Sequence, residues 1–374
     1  MEKKIKILFA INNLNLGGAE VVVTEQIKNI DHEKFSAHLA TLYRSKEPNL
    51  LSRIDFLNKE SFKQFNFKSK NVLNPGKWLA VYKFLKKEKF DVIYSHLFES
   101  NMIFRSLAYV LKIPVIVSFE HSEYFNKSRW QIVVDKILSL ITDKIIVSTK
   151  TVADFTAKQE KIKIDKFVVI PNPISLPDKE KINLPELKKN LNLGDKDFVV
   201  LFLGRFSEEK GLDYLLKAFK EIIKVQENIK LVMVGYGPLE KKLRQGIRDQ
   251  NLEKYCQIIA EPLKAKDFLF LGDIFVLTSL REGQSMATYE ALMSGLPVVA
   301  FAVGGVKDII KTGDNGFLSP IGDANSLAKN ILYLYNNSSE RQAMAKRAKE
   351  SVRQCGVEDN IKFFERLVFS LFKN

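Results

Sequence analysis

The stretch IFVLTSLREGQSMATYEALMSGLPVVAFA, residues 274–302, carries a complete strand–helix–strand unit. An apolar run over 274–279 ends in Thr278-Ser279, and a polar loop opens a helical pattern over 285–294. Gly295 closes that helix, Pro297 forbids its continuation, and a second apolar run covers 297–302. Two short strands joined through a helix in this way run parallel, with helices covering the sheet. The unit also poses a chemical question, because it places two carboxylates, Glu282 and Glu290, on the loop and inside the helix.

The alternation extends in both directions. Upstream, strand-like runs cover 5–11, 36–43, 91–96, 114–119, 144–149 and 166–170, with helical patterns over 19–30, 77–89, 100–111 and 130–141. Residues 171–185 hold four prolines and no periodicity. The pattern then restarts: strand 198–204, helix 211–225, strand 229–235, helix 238–249, and the opening unit. Two closing helices are expected over 324–353 and 357–373. The reading is α/β, two doubly wound domains: 1–170, a linker 171–190, 191–356, and a helix 357–374 returning to the first domain. Ligands of such sheets bind beyond the carboxyl ends of the strands, so a cleft between two facing domains is the expected site.

Composition narrows the class. The 374 residues are 46% hydrophobic and 27% charged, ordinary for globular domains. Two cysteines, Cys256 and Cys355, lack metal-type spacing and suit a reducing compartment. The apolar run in MEKKIKILFAINN is too short for a signal-peptide core, and Asp273 interrupts the longest apolar candidate, so a cytoplasmic, soluble or peripheral protein is expected. The net charge is +14, and residues 1–170 hold 28 Lys and Arg against 18 Asp and Glu. The excess is densest over 57–90, with nine lysines and two glutamates. The lysines of helix 77–90 and the phenylalanines interleaved with lysine in 63–70 suit an anionic membrane surface. A solvated lysine-rich face is the plain alternative.

Four places carry chemistry. Gly17-Gly18 in INNLNLGGAE lie between the first strand and its helix, where backbone amides can approach an anion. The spacing of a dinucleotide fingerprint is absent, as are an acidic end to the second strand and a Walker phosphate loop. In LFLGRFSEEKG, Arg205 and Lys210 come from one strand–helix loop and can clamp a diphosphate. On the 274–302 unit, Gly283 lets amides at the helix start face a phosphate. Glu290, ~1.5 turns into the helix, can take a vicinal diol, and Glu282 can meet whatever hangs beyond the phosphates. Finally, His96 ends one strand of the first half and His121 stands just past the end of another.

In order along the chain, NLGGAE, SFEHS, VIPNPI, LGRFSEEKG, VGYGPLEKKL, SLREG…YEALMSGLPVV, GGVKDII and DNGFLSP resemble the retaining glycosyltransferases of family 4, which have the GT-B fold of two facing Rossmann-like domains. The resemblance implies a nucleotide-sugar donor, most often a UDP-sugar, bound mainly by the second domain, and an acceptor held by the first. It implies Glu290 on the ribose, and Arg205, Lys210, Gly17, Gly18, Gly283 and the amides of Gln284, Ser285 and Met286 around the diphosphate. Glu282 would contact sugar hydroxyls, His121 would lie near the reacting carbon, and His96 on the acceptor or sugar side. Gln284-Ser285 replace the bulky apolar residue and proline common in the family, which bears on sugar choice. No Asp-x-Asp metal motif stands in a suitable place, so no metal and no cofactor are expected. The acceptor would be a glycan or polyprenyl-diphosphate-linked sugar, in cell-surface polysaccharide, lipopolysaccharide or glycoprotein-glycan assembly. Two other readings compete. A nucleotide-sugar epimerase of the same architecture would need no acceptor. A non-enzymatic basic module binding nucleic acid or membrane leaves Glu282, Glu290, Arg205 and Lys210 unexplained, and no nucleic-acid partner is expected.

Overall fold

The structure is a computed structural model that describes residues 3–15, 17–44, 63–67, 74–260 and 262–372. The chain divides into two compact units, Met1–Pro173 with Gly356–Asn374, and Ile174–Cys355.

The first unit is built on seven parallel strands: β1 (Ile5–Ile11), β2 (Phe35–Thr41), β3 (Lys63–Asn66), β4 (Val92–His96), β5 (Val115–Glu120), β6 (Lys144–Val147) and β7 (Phe167–Val169). They lie in the order β3-β2-β1-β4-β5-β6-β7. Helices α1 (Gly18–Asn29), α2 (Pro75–Glu88), α3 (Phe98–Val110), α4 (Arg129–Leu140) and α5 (Lys150–Glu160) connect them. The second unit contains α6 (Leu184–Asn190), β8 (Phe198–Leu203), α7 (Leu212–Ile222), β9 (Ile229–Val234), α8 (Glu240–Asp249), β10 (Cys256–Ile259) and β11 (Ile274–Leu277). Then follow α9 (Met286–Ser294), β12 (Val298–Phe301), α10 (Val306–Ile309), β13 (Gly316–Ser319), α11 (Ala324–Asn336) and α12 (Ser338–Ser351). Its parallel sheet runs β10-β9-β8-β11-β12-β13. In each sheet the order reverses beside the unit's first strand, the doubly wound arrangement whose ligand sites lie at the carboxyl ends of the central strands.

The strands read as unbroken apolar runs because both faces are covered: β8 and β11 are buried along their whole length. One local device recurs. An aspartate just before a strand accepts a backbone amide of the neighbouring strand: Asp91 from Lys6 at 2.8 Å, Asp143 from Ile116 at 2.7 Å and Asp273 from Val199 at 2.8 Å. Each fixes register at the end of the sheet opposite the candidate site.

Helix α13 (Val357–Phe372) packs on the first unit. Phe364 stacks on Tyr94 with centroids 4.7 Å apart, Phe369 lies 5.2 Å from Phe35, and Glu365 accepts the Asp31 amide at 2.7 Å.

Several expectations change. The stretch 171–190 holds α6, and Ile174 belongs to the core of the second unit, so it is more than a spacer. The helix expected over 324–353 is two helices that break at Asn337. The strand β3 and helix α5 add elements to the first unit. The phenylalanines of 63–67 are not free for a membrane: Phe65 and Phe67 pack on Phe84 at 4.1 and 5.5 Å. Lys77 turns inward, buried, with Nζ 4.1 Å from the centre of the Tyr43 ring. Residues 57–62 and 68–73 of the lysine-rich stretch lie outside the described residues.

Candidate functional site

In the second unit two loops meet at the carboxyl ends of adjacent strands β8 and β11. The Thr278 hydroxyl donates to the Lys210 carbonyl at 2.9 Å, and the Leu280 amide donates to the Glu209 carbonyl at 2.7 Å. Between them Gly211 adopts φ +57°, and a Cβ there would run into the Thr278 carbonyl oxygen. Glycine is therefore required where the two loops touch. This stitching brings Lys210 onto Glu282: Nζ donates to Oε1, and the Ser279 hydroxyl donates to the same oxygen at 2.7 Å. The ammonium and carboxylate are mostly withdrawn from water, at 18% and 11% side-chain exposure. Arg205, on the first loop, is exposed.

The second loop continues into α9. Ser285 is its N-cap, and its carbonyl takes the amides of Thr288 and Tyr289 at 3.0 and 3.2 Å. The amides of Ser285 and Met286 stand ahead of the helical ladder, as the first amides of any helix do, and favour an anion. Gln284 and Ser285 are buried, and the Gly283 carbonyl is held by the Gly305 amide at 3.1 Å, which fixes the loop from beneath. Glu290 lies buried on α9, paired with Lys266 at 2.8 Å, and Lys266 also donates to the Ser175 carbonyl at 2.9 Å. So Arg205, Lys210, Glu282, Gly283 to Met286 and Glu290 come from two loops and one helix at one end of one sheet. Two partners were missed. Ser279 stands three residues before Glu282, a spacing that suggests a local contact, whereas Lys266 is 24 residues from Glu290 and nothing local marks it.

In the first unit, His96 ends β4 and His121 directly follows β5. His96 Nδ1 lies 3.0 Å from His121 Nε2, and the His121 ring stacks on Phe119 at 4.1 Å. Burial holds the His121 imidazole down at about 3, and burial together with His121 holds His96 well below its ordinary value. Both rings are neutral at pH 7, so the pair can share one proton along its hydrogen bond but carries no charge. Leu97, next to His96, takes φ +68°, a strained position for a branched residue and one typical of functional sites.

The loop after His121 is anchored from below. Lys127 reaches Glu160 at 2.6 Å, Asp135 at 2.8 Å and Glu120 at 3.4 Å, with Arg105 3.8 Å from Asp135. All five side chains are buried. Glu120 also accepts from Asn101 at 3.3 Å, and Asn101 accepts from Ser95 at 2.7 Å, so the network runs to the residues before both histidines. At the turn into α1, the space a Cβ of Gly17 would fill is occupied by the Glu20 carboxylate. Burial raises the Glu20 carboxyl, and its own backbone amide partly offsets this. An anion at Gly17-Gly18 would meet that side chain first.

Among the described residues no group of His, Cys, Asp or Glu has metal-binding geometry, and no helix is long and apolar enough to cross a membrane.

Two doubly wound parallel sheets in tandem, each with its loops gathered at the strand carboxyl ends, make a GT-B architecture. Across 98% of this chain and 100% of the other, the structure matches a protein of Anabaena, Alr3699/HepE, crystallised with UDP, at a TM-score of 0.84 and 19% identity. Residues 16–177 match the family model described as Glycosyltransferase Family 4, and residues 184–351 that described as Glycosyl transferases group 1. An uncharacterized glycosyltransferase of Haemophilus influenzae is 30% identical over 260 residues, 69% of this chain and 70% of that one. The UDP-Gal:alpha-D-GlcNAc-diphosphoundecaprenol alpha-1,3-galactosyltransferase of Escherichia coli is 28% identical over 286 residues, 73% of each chain. The chain belongs to glycosyltransferase family 4.

Proposed function

We propose that this glycosyltransferase moves a sugar from a UDP-sugar to a glycan or polyprenyl-diphosphate-linked sugar, with retention at the anomeric carbon and without a divalent metal. The observation that carries the reading is the convergence of Lys210, Glu282 and the α9 N-terminus at the carboxyl ends of β8 and β11, with Arg205 on the same loop as Lys210. Cations beside helix-start amides suit a diphosphate, and carboxylates beside them suit the hydroxyls at its two ends. Glu290 is assigned to the ribose and Glu282 to the transferred sugar. The lipid-linked acceptor is supported by the likeness to the Escherichia coli enzyme, whose name specifies UDP-galactose and a diphosphoundecaprenol-linked sugar.

In the proposed reaction an acceptor hydroxyl oxygen bonds to the anomeric carbon on the face from which the diphosphate departs. The bond from that carbon to the phosphate oxygen breaks, its electron pair stays on the diphosphate, and a phosphate oxygen takes the acceptor proton. Arg205 and Lys210 stabilise the charge growing on the leaving group, an interaction stronger in the transition state than before it. In the first unit neutral His121 is only partly covered and can exchange a hydrogen bond with an acceptor hydroxyl without adding charge, whereas His96 is fully buried and acts only through its contact with His121.

The test is a panel of UDP-sugars offered with and without a synthetic polyprenyl-diphosphate-linked sugar, read by mass spectrometry and by the anomeric coupling of the product. The reading expects one donor to give a lengthened lipid-linked glycan with the donor's anomeric configuration. Conversion of the donor in the absence of acceptor would instead make the chain an epimerase.

A further inference from the structure

Helix α4 is amphipathic with its faces reversed. Asp135, Leu138 and Ser139 point into the unit, where Asp135 meets Lys127 and Arg105. Trp130, Val133, Ile137 and Leu140 point outward, exposed by 52, 55, 57 and 77%. At 100° per residue these four fall within an arc of ~80°, and exposed Arg129 and Lys136 border it. Helix α3 packs beside α4 and ends in exposed Tyr109 and Val110, with exposed Lys112 just beyond. Phe98, at the start of α3, meets the Trp130 ring edge-on at 5.1 Å. The solvent face of α4 thus has apolar side chains, two cations and no carboxylate, because its one acid is turned inward.

We infer that this α3–α4 face docks the protein on the surface of an anionic phospholipid bilayer. Its composition is that of an interfacial helix: a broad apolar stripe, an indole at one end, and cations along the border to meet lipid phosphates. A second copy of the chain is the weaker occupant. Self-pairing of this face would bring Arg129 and Lys136 of the two copies together with no acid on the helix to neutralise them. Helix α2, the lysine-rich candidate from sequence, does not share the pattern. It exposes Lys83, Lys86 and Lys87, but Val81 and Leu85 are buried. The inference rests on the exposure of α4 and needs no particular donor or acceptor.

The experiment is co-sedimentation of the full chain with vesicles of phosphatidylglycerol and phosphatidylcholine, and with vesicles of phosphatidylcholine alone. The wild type should partition onto the anionic vesicles at low salt, and W130S/I137Q/L140Q should lose at least about tenfold in partition. UDP binding and melting temperature should hold, since the replaced side chains are exposed. K83E/K86E/K87E on α2 should bind the vesicles like the wild type. As a second reading that needs no polar variant, Trp130 fluorescence in a W78F background should shift to the blue with anionic vesicles and be quenched by brominated lipid. Equal partition of the triple variant, or Trp130 emission indifferent to vesicles, overturns the inference. So does a wild-type dimer in light scattering that ignores vesicles and dissociates in the triple variant.

Discussion

Replacing Lys210 by alanine should separate a catalytic cation from a structural one. In the fold its ammonium contacts Glu282, whose Oε1 also accepts the Ser279 hydroxyl. At 18% and 11% side-chain exposure the pair lies between surface ion pairs, worth about 0–1 kcal/mol, and buried ones, whose disruption costs about 3–5 kcal/mol. Since Ser279 remains and some water reaches Glu282, the expected cost to folding is about 1–2 kcal/mol. For a unit spanning Ile174–Cys355 that is a fall in melting temperature of roughly 2–8 °C. The catalytic cost should be larger. Losing one donor aimed at the charge of a departing group costs about 10²–10³ in turnover, or about 2.7–4 kcal/mol of transition-state stabilisation. The assay is steady-state UDP release with a saturating donor and acceptor, beside differential scanning calorimetry on the same preparation. A Lys210→Ala enzyme that keeps more than about a tenth of wild-type turnover refutes the assignment. So does one that loses activity only because it has melted at the assay temperature.

Three further outcomes test other parts of the account. Lys127→Ala should destabilise the first unit by about 3–5 kcal/mol, because it leaves Glu120, Asp135 and Glu160 buried with Arg105 as their remaining cation; chemical denaturation measures it, and a loss below about 1 kcal/mol would show the network to be solvent-screened. Burial holds His121 at about 3 and His96 well below the ordinary 6.5, so their contribution to stability is complete above about pH 6.5 and declines as pH falls below it, for His121 down to about 3. Melts in that window should show a slope on the order of 1 kcal/mol per pH unit for each histidine, and His121→Asn should remove about half of it; an unchanged slope would place the titration elsewhere. EDTA should leave turnover unchanged, whereas strict dependence on added manganese or magnesium would contradict charge stabilisation by Arg205 and Lys210 alone.

The fold was legible wherever burial on both faces wrote apolar runs into the strands, and the 274–302 unit came through with its loop, helix and stop residues. Elements whose packing is polar were not. Helix α5 buries Thr156 and Glu160 beside Val152 and Ala153, so its inward face has no apolar stripe to see. Helix α4 was legible as a helix but faces the opposite way from its hydrophobic pattern, because Arg105 and Lys127 draw Asp135 inward. Lys77 reads as a surface lysine, and only the tertiary position of the Tyr43 ring turns it in. At the candidate site, Arg205, Lys210, Glu282 and Glu290 were marked by their places at strand ends and on the following helix. Their partners were not, since the Lys266–Glu290 pair joins segments with no sequence relation. The Glu20 carboxylate against Gly17 likewise depends on a rotamer that sequence does not show.

The central claim is that the second unit carries the donor site, with Glu290 on the nucleotide and Glu282 on the sugar. Isothermal titration of UDP into the wild type, Glu290→Ala and Glu282→Ala tests it most directly. Glu290→Ala should lose UDP affinity by about tenfold or more, the weight of a charge-assisted pair of hydrogen bonds. Glu282→Ala should bind UDP at least as well as the wild type, since removing that carboxylate frees Lys210 for the diphosphate, while its transfer activity falls. Equal losses of UDP affinity in the two variants, or no loss in Glu290→Ala, would contradict the assignment.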